Sequence, residues 1–335
     1  MSVKVGINGF GRIGRAAFKI ALNSKGIVVS AINDLTDAKT LAHLLLYDSV
    51  YGRYEKNVGN SEGAITVDGK RFPILSEKDP KKLPWKKLGV DIVLESTGRF
   101  TTRELAGGHL AAGARAVVIS APADSNDVPT YLLGVNQKDL KKEDRIISNA
   151  SCTTNSIAPI AAILDRAFGV KKASMTTIHS YTADQNLVDG PHKDLRRGRA
   201  AAFNIVPTTT GAALTTTKVL PGLVGRFDGL AIRVPTIVGS LSDFTLLLKR
   251  PVTVEEVNNI FIKASKSSEY KGIVAVSDEP LVSSDIIKNP NSTIIDLGFT
   301  NVIDGDLLKV VAWYDNEWGY ANRLVELAIL LGKSL

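Results

Sequence analysis

Cysteine is almost absent: Cys152 stands alone among 335 residues, and one thiol forms no intramolecular disulfide. The four histidines, His43, His109, His179 and His192, are dispersed, so no cluster has zinc-ligand spacing and no metal is expected. Aromatic residues make up 6%, and no basic stretch is interleaved with them. No run approaches the ~18 consecutive apolar residues of a membrane helix. A strand pattern, Val3-Lys4-Val5-Gly6-Ile7, begins almost at once, so neither a signal nor a transit peptide is expected and the expected location is cytoplasmic. Internal repeats, low-complexity tracts and long Pro/Gly linkers are lacking too.

The charge balance, by contrast, is uneven. There are 41 Lys and Arg against 34 Asp and Glu, a formal charge of +7. Such a balance suits nucleic acid or a small anionic substrate. The positives are spread along the chain, and only His192-Lys193 with Arg196-Arg197-Gly198-Arg199 stands out. A solvated basic surface accounts for most of the excess, and nucleic acid is not expected as a main partner.

The length suits two domains. In the first half, short apolar runs at 3–7, 27–32, 90–95, 115–120 and 145–148 alternate with helix-like segments. The first of these, Arg12 to Ser24, carries Ile13, Ala16, Ala17, Ile20 and Ala21 on one face. Strands alternating with helices imply a mostly parallel sheet. After about residue 151 the runs lengthen, at 171–179, 226–234, 240–249 and 307–314, which predicts an α+β domain with an antiparallel or mixed sheet. Thr253-Val254-Glu255-Glu256 forms a capping box before a helix, and Asn322 to Leu331 reads as a final amphipathic helix.

Gly9-Phe10-Gly11-Arg12-Ile13-Gly14 follows the first strand and opens the first helix. In such a turn Gly9 allows the tight bend, Gly11 lets backbone approach a pyrophosphate, and Gly14 lets helix and strand pack closely. The diphosphate then sits over the helix N-terminus. The second strand ends in Asn33-Asp34, and Asp34 lies where a carboxylate would bond the adenosine ribose hydroxyls. That carboxylate would repel a 2′-phosphate, so the expected cofactor is NAD on a Rossmann-type α/β domain.

Ser148 to Asn155 joins a strand to a helix carrying Ile157, Ile160, Ile163 and Leu164. Cys152 therefore sits at a helix start, a position that favours thiolate. A lone cysteine is more often a small buried hydrophobe, but Ser151, Thr153, Thr154 and Asn155 make this setting hydroxyl-rich. His179, at the end of the strand Ala173 to Ile178, is the best candidate partner; spacing alone leaves that pairing open. His43 and His109 read as structural or surface groups, and His192 as a solvated charge. Thr208-Thr209-Thr210-Gly211 and Arg196-Arg197, assigned to a long loop region, and Arg233 at a strand end offer what phosphate binding uses. Singly each is a cap, a turn or a solvated charge; together they suggest a phosphorylated substrate.

Gly6 to Arg15, Ser148 to Asn155, Thr176 to Thr182, His192 to Arg197, Pro207 to Ala212 and Trp313 to Tyr320 together resemble the phosphorylating glyceraldehyde-3-phosphate dehydrogenase family, in consistent order along the chain. The resemblance implies that Cys152 attacks the aldehyde to give a thiohemiacetal, with His179 as base and hydrogen-bond donor. A thioester follows and inorganic phosphate attacks it, giving 1,3-bisphosphoglycerate. It implies Thr182 and Arg233 for the substrate phosphate. For the attacking phosphate it implies Ser151, Thr153, Thr210 and Gly211, with Arg197 close by. Cofactor contacts would be Arg12, Ile13, Asp34, Lys78, Ser120 and Asn316. The NAD-binding domain would span 1–151 and be completed by the C-terminal helix, about 316–335, with the catalytic domain at 152–315; a homotetramer is likewise implied. Three departures stand out: Ser156 where many members have a second cysteine, Ile237-Val238-Gly239 for the common Pro-Asn-Val, and Lys78 where arginine is frequent. Leu35 and Pro191 match NAD-preferring members. Rival readings are erythrose-4-phosphate dehydrogenase, with water as acyl acceptor, and a nucleotide- or RNA-binding relative that has lost catalysis.

Overall fold

A computed structural model describes residues 2–335. The chain forms two compact units: the stretch up to Leu132 with Asn136–Ala150 and Ala321–Leu335, and Leu133–Val135 with Ser151–Tyr320.

In the first unit the order is β1 (Val3–Asn8), α1 (Arg12–Asn23), β2 (Ile27–Asn33), α2 (Ala38–Leu46), the short β3 (Tyr47–Asp48) and β4 (Gly52–Arg53), then β5 (Val58–Ser61), β6 (Ala64–Val67) and β7 (Lys70–Leu75). There follow β8 (Ile92–Glu95), α3 (Arg103–Ala111), β9 (Ala116–Ile119) and β10 (Ile146–Ser148). The sheet order is β10-β9-β8-β1-β2-β7-β6-β5. Pairing is parallel from β10 to β7 and antiparallel beyond. Every residue of β8 and β9 is buried, as expected of strands covered on both faces. The chain winds one way from β1 to β2 and the other way to β8. The carboxyl ends of β1 and β8, with Asn8 opposite Glu95, therefore frame the crevice where doubly wound sheets bind ligands. The antiparallel extension β5–β7 departs from the mostly parallel sheet that the alternation predicts. Its second turn, Asp68-Gly69, has φ of 48° and 79°, the left-handed pair a two-residue hairpin requires.

The second unit runs α4 (Cys152–Phe168), β11 (Val170–Ser180), β12 (Val206–Thr209), α5 (Ala212–Val219), β13 (Phe227–Val234), β14 (Ser240–Leu248), α6 (Val254–Lys266), β15 (Val274–Ser277), β16 (Thr293–Ile303), β17 (Leu307–Tyr314) and α7 (Trp318–Gly332), whose later turns belong to the first unit. The sheet order is β12-β13-β11-β14-β17-β16-β15. It is mixed as predicted: β11 runs parallel to β13 but antiparallel to β14. The supposed loop around 208–211 is instead strand β12 followed by the start of α5, because residues 206–209 pair antiparallel with β13. Thr253 caps α6 by accepting from the Glu256 N–H at 3.1 Å.

One core joins Ile157, Ile160 and Leu164 of α4, Met175 of β11, Phe244 and Leu246 of β14, Val257 and Phe261 of α6, and Leu308 and Val310 of β17. At one end of these strands the buried rows turn polar: Met175 gives way to Thr177 and His179, Phe244 to Ser242 and Ser240, and Val310 to Tyr314. Buried polar groups of this kind need partners; those of Thr177, His179, Ser240 and Tyr314 make the site, whereas Ser242 Oγ has none among the described residues.

Candidate active site

In the first unit a cleft of about 580 Å³ is lined by Asn8, Gly9, Gly11, Asn33, Asp34, Leu35, Glu77, Lys78, Ser96, Thr97, Arg99 and Phe100. Gly9 has φ +90° with Ser96 and Thr97 backbone 2.8–2.9 Å from any Cβ it could carry. A Cβ on Gly14 would lie 2.1 Å from the Gly9 carbonyl oxygen, whereas one on Gly11 meets nothing within 4 Å. The fingerprint glycines thus divide their work: two permit close packing, and one leaves open space before the helix start. Asp34 accepts from the N–H of Phe10 at 2.8 Å and of Thr36 at 2.9 Å, one bond per oxygen. Lone pairs remain for sugar hydroxyls, since a carboxylate offers about four. Arg12 pairs with Asp48 at 2.8 Å. The Ser120 N–H bonds the Glu95 carbonyl at 2.9 Å. Arg12, Ile13, Gly14 and Ser120 are not among the residues lining this cleft. These donors and this open space fit a dinucleotide.

In the second unit Cys152 is the first residue of α4, and Ser151 caps the helix by accepting from the Thr154 N–H at 3.0 Å. The preceding Ala150 is held at φ +54°, an unusual conformation for a residue with a Cβ. The half-buried Cys152 places Sγ 3.4 Å from His179 Nε2. His179 Nδ1 lies 2.6 Å from the Ser180 carbonyl oxygen. Arg233 Nη1, which only donates, also lies 3.0 Å from Nδ1, but its two hydrogens have acceptors in the Ser180 carbonyl and Thr182 Oγ1. The shorter contact to a carbonyl, which only accepts, therefore assigns the ring proton to Nδ1 and the Nε2 lone pair to the sulfur. Strand register explains the next neighbour. His179 and Arg233 are opposed residues of β11 and β13, and Arg233 Nη1 donates to the Ser180 carbonyl at 3.0 Å and to Thr182 Oγ1 at 3.4 Å. Tyr314, to which the sequence pattern assigns no role, bridges Thr177 Oγ1 at 2.8 Å and Thr153 Oγ1 at 3.0 Å.

Burial pushes the Cys152 thiol up, outweighing the opposite pull of the Arg233 charge and of Thr153. Burial, then the charges of Arg233 and Arg197, push His179 down to about 3, against the Ser180 bond. At neutral pH the pair is thiol plus neutral imidazole: a nucleophile beside an unprotonated base, with the proton ready to cross as the sulfur attacks.

The anion-binding candidates fall into two sets. Thr182 and Arg233 touch each other beside His179. Ser151 and Thr153 flank Cys152, while Thr210 and Gly211 begin α5, with Thr210 Oγ1 accepting from the Ala212 N–H at 3.2 Å. Arg197 is tied to Asp184 at 2.7 Å, Thr208 Oγ1 at 2.9 Å and the Thr209 carbonyl at 3.2 Å. His192 is no solvated charge: it approaches Asp184 at 3.5 Å, and its Nδ1 accepts from the Asp194 N–H at 2.9 Å. Arg199 pairs with Asp189 at 2.7 Å. Three aspartates thus offset the basic segment, a feature legible only once the loop is folded. Asn316 accepts from the Gly239 N–H at 3.1 Å and Ser240 Oγ at 2.9 Å. Gly239, in the departing Ile237-Val238-Gly239, has φ +97° and the Ser283 carbonyl oxygen 2.4 Å from a would-be Cβ. Glycine is required there. Among the described residues no cluster of three or more metal-ligating side chains occurs, and no helix is long and apolar enough to cross a membrane.

Residues 3–103 match the family model for the NAD binding domain of glyceraldehyde 3-phosphate dehydrogenase, and residues 151–316 that for its C-terminal domain. The chain is 55% identical over 329 residues to a glyceraldehyde-3-phosphate dehydrogenase of Geobacillus stearothermophilus, covering 98% of each. It is 51% identical over 337 residues to that of Streptomyces coelicolor and 53% over 342 residues to that of Mycobacterium avium, covering 100% of each chain. With half of its residues shared from end to end, the chain belongs to the glyceraldehyde-3-phosphate dehydrogenase family.

Proposed function

We propose that the chain oxidises D-glyceraldehyde 3-phosphate with NAD and inorganic phosphate to 1,3-bisphosphoglycerate, a step of glycolysis and, reversed, of gluconeogenesis, and that Cys152 and His179 carry the chemistry. The observation behind this assignment is the 3.4 Å contact between Cys152 Sγ and an imidazole nitrogen whose lone pair faces it. His179 Nε2 takes the thiol proton as sulfur attacks the aldehyde carbon, giving a thiohemiacetal. Nε2–H and the Cys152 N–H at the start of α4 hold the developing oxyanion, and Nε2 passes it the proton that completes the thiohemiacetal hydroxyl. Bound NAD supplies the hydride acceptor. As the carbon loses hydride, the hydroxyl proton returns to His179 and a thioester remains on Sγ. A phosphate oxygen attacks the thioester carbon, the carbon–sulfur bond breaks, and the departing thiolate is reprotonated by His179.

In this reading Thr182 and Arg233 hold the substrate phosphate, which the Arg233 charge supports. Ser151, Thr153, Thr210 and Gly211 hold the attacking phosphate, and Arg197 adds positive charge. Gly9, Gly11, Arg12, Ile13, Gly14, Asp34, Lys78, Ser120 and Asn316 serve the cofactor. The assembly is a homotetramer, a reading supported by Leu187, Leu195, Phe203 and Ile205, exposed by 70–86% within one segment of the second unit. A cytoplasmic location suits a reaction that depends on one reduced thiol.

Cys152→Ser should abolish aldehyde oxidation and leave NAD affinity within about twofold. His179→Asn should slow oxidation by about 10²–10⁴. Loss of NAD binding in Cys152→Ser, with residual oxidation intact, would make Cys152 a structural residue.

A further inference from the structure

His109 and Glu95 are buried, 0% and 1% exposed, and the reaction above uses neither. Trp85 Nε1–H donates to His109 Nδ1 at 3.0 Å. An indole only donates, so the ring proton of His109 sits on Nε2, which faces Glu95 Oε2 at 3.0 Å. The same oxygen accepts from Asn8 Nδ2 at 2.5 Å. Glu95 Oε1 accepts from the Thr97 N–H at 2.8 Å and from the Thr97 hydroxyl. Four donors thus converge on one buried carboxylate, which fills its lone pairs. The order propagates: Asn8 presents its NH2 to Glu95 and so its oxygen to Asn33 Nδ2 at 2.7 Å. Asn33 in turn accepts from the Glu77 N–H and donates to the Glu77 carbonyl, both at 2.9 Å.

Every outer member of this network, Asn8, Asn33, Glu77 and Thr97, lines the dinucleotide cleft. Its centre, Glu95 opposite Asn8, lies at the carboxyl ends of β8 and β1, where the winding of the sheet reverses. We propose that Glu95 and His109 are positioning residues for NAD: they fix which way the amides of Asn8 and Asn33 and the Thr97 backbone present themselves to the cofactor. The sign of each hydrogen bond is set at Trp85, a group that can only donate, and handed outward through His109 and Glu95 to the cleft wall. A wall already in its bound orientation spares the ordering cost that binding would otherwise carry. This inference rests on the cofactor being NAD.

The test is titration calorimetry of the full chain with NAD and with ADP-ribose, alongside steady-state kinetics and thermal melts. Glu95→Gln, nearly isosteric, sets an amide NH2 against two donors, and His109 cannot switch to accept while Trp85 holds Nδ1. NAD Kd and KM should rise about tenfold, ADP-ribose should weaken by the same factor, and kcat at saturating NAD should stay within about twofold. His109→Phe should weaken NAD comparably, whereas His109→Gln, which keeps an amide donor toward Glu95, should restore most of the affinity. Val117→Ala, a truncation elsewhere in the same core, should lower the melting temperature without moving Kd. The proposal is overturned if Glu95→Gln leaves Kd unmoved, if its loss of affinity merely tracks lost stability as in Val117→Ala, or if His109→Phe and His109→Gln bind alike. Wild-type protein that binds no NAD would instead sink the cofactor reading itself.

Discussion

Replacing Gly14 by alanine sets helix propensity against packing, and the two predict opposite signs. Propensity alone favours Gly14→Ala by about 1 kcal/mol inside α1. The new Cβ, however, would sit 2.1 Å from the Gly9 carbonyl oxygen, well inside the 3.0 Å below which Cβ atoms essentially never approach another heavy atom. Gly9 has little room to retreat: its N–H is bonded to the Asn33 carbonyl at 2.8 Å, and it packs against Ser96 and Thr97 backbone. Overpacking by a full methyl against backbone costs about 1–3 kcal/mol, so the net effect is a loss of up to about 2 kcal/mol in urea unfolding, together with weaker NAD binding. Gly11→Ala is the counterpart. Its φ of −69° and ψ of −160° suit any residue, and nothing lies within 4 Å of the added carbon. It should unfold like wild type yet bind NAD at least tenfold more weakly, because the methyl enters the space left for the diphosphate. Gly14→Ala more stable than wild type, as propensity alone predicts, or Gly11→Ala with unchanged NAD affinity, would refute the reasoning.

Acid stability offers a second check. His179 is held down to about 3, whereas an unfolded histidine titrates near 6.5. The unfolded state therefore binds the extra proton first, and stability present above pH ~6.5 is lost as pH falls toward 3, by about 2 kcal/mol between pH 7 and 5. His179→Asn should lack that part of the decline in urea melts, and equal slopes for the two proteins would contradict it. Tyr314→Phe should cost about 1–3 kcal/mol by leaving the buried hydroxyls of Thr153 and Thr177 without their shared partner; a neutral result would mean they find another. Peroxide should carry Cys152 past sulfenic acid to sulfinic or sulfonic acid, or to external thiol adducts, because residue 156 is serine and no second thiol exists. Intact-mass spectrometry showing a disulfide between two chains would contradict this.

What the sequence disclosed was local, and what it concealed depended on register. The glycines at 9, 11 and 14 are readable because each answers a requirement within a few residues of itself, and the Thr253 cap because its partner is Glu256. The alternation along 307–314 also held the clue to Tyr314: it shares a face with Leu308, Val310 and Ala312, so its hydroxyl had to find a buried partner. Asp68-Gly69 is a hairpin signal of the same local kind, and β6 and β7 pair antiparallel on either side of it. By contrast, the placement of Arg233 beside His179 follows from a parallel pairing across 54 residues, which no local pattern encodes. The aspartates that offset Arg197 and Arg199, and the network about Glu95 and His109, are invisible for the same reason: they join segments separated by loops whose path composition does not fix.

The central claim is that an acyl group on Cys152 is passed to phosphate, and the most direct measurement is NADH formation from glyceraldehyde 3-phosphate with and without inorganic phosphate. The account predicts steady turnover only with phosphate, and without it no more than one NADH per site as the thioester accumulates. No NADH with phosphate present, or equal steady rates in its absence, would contradict it.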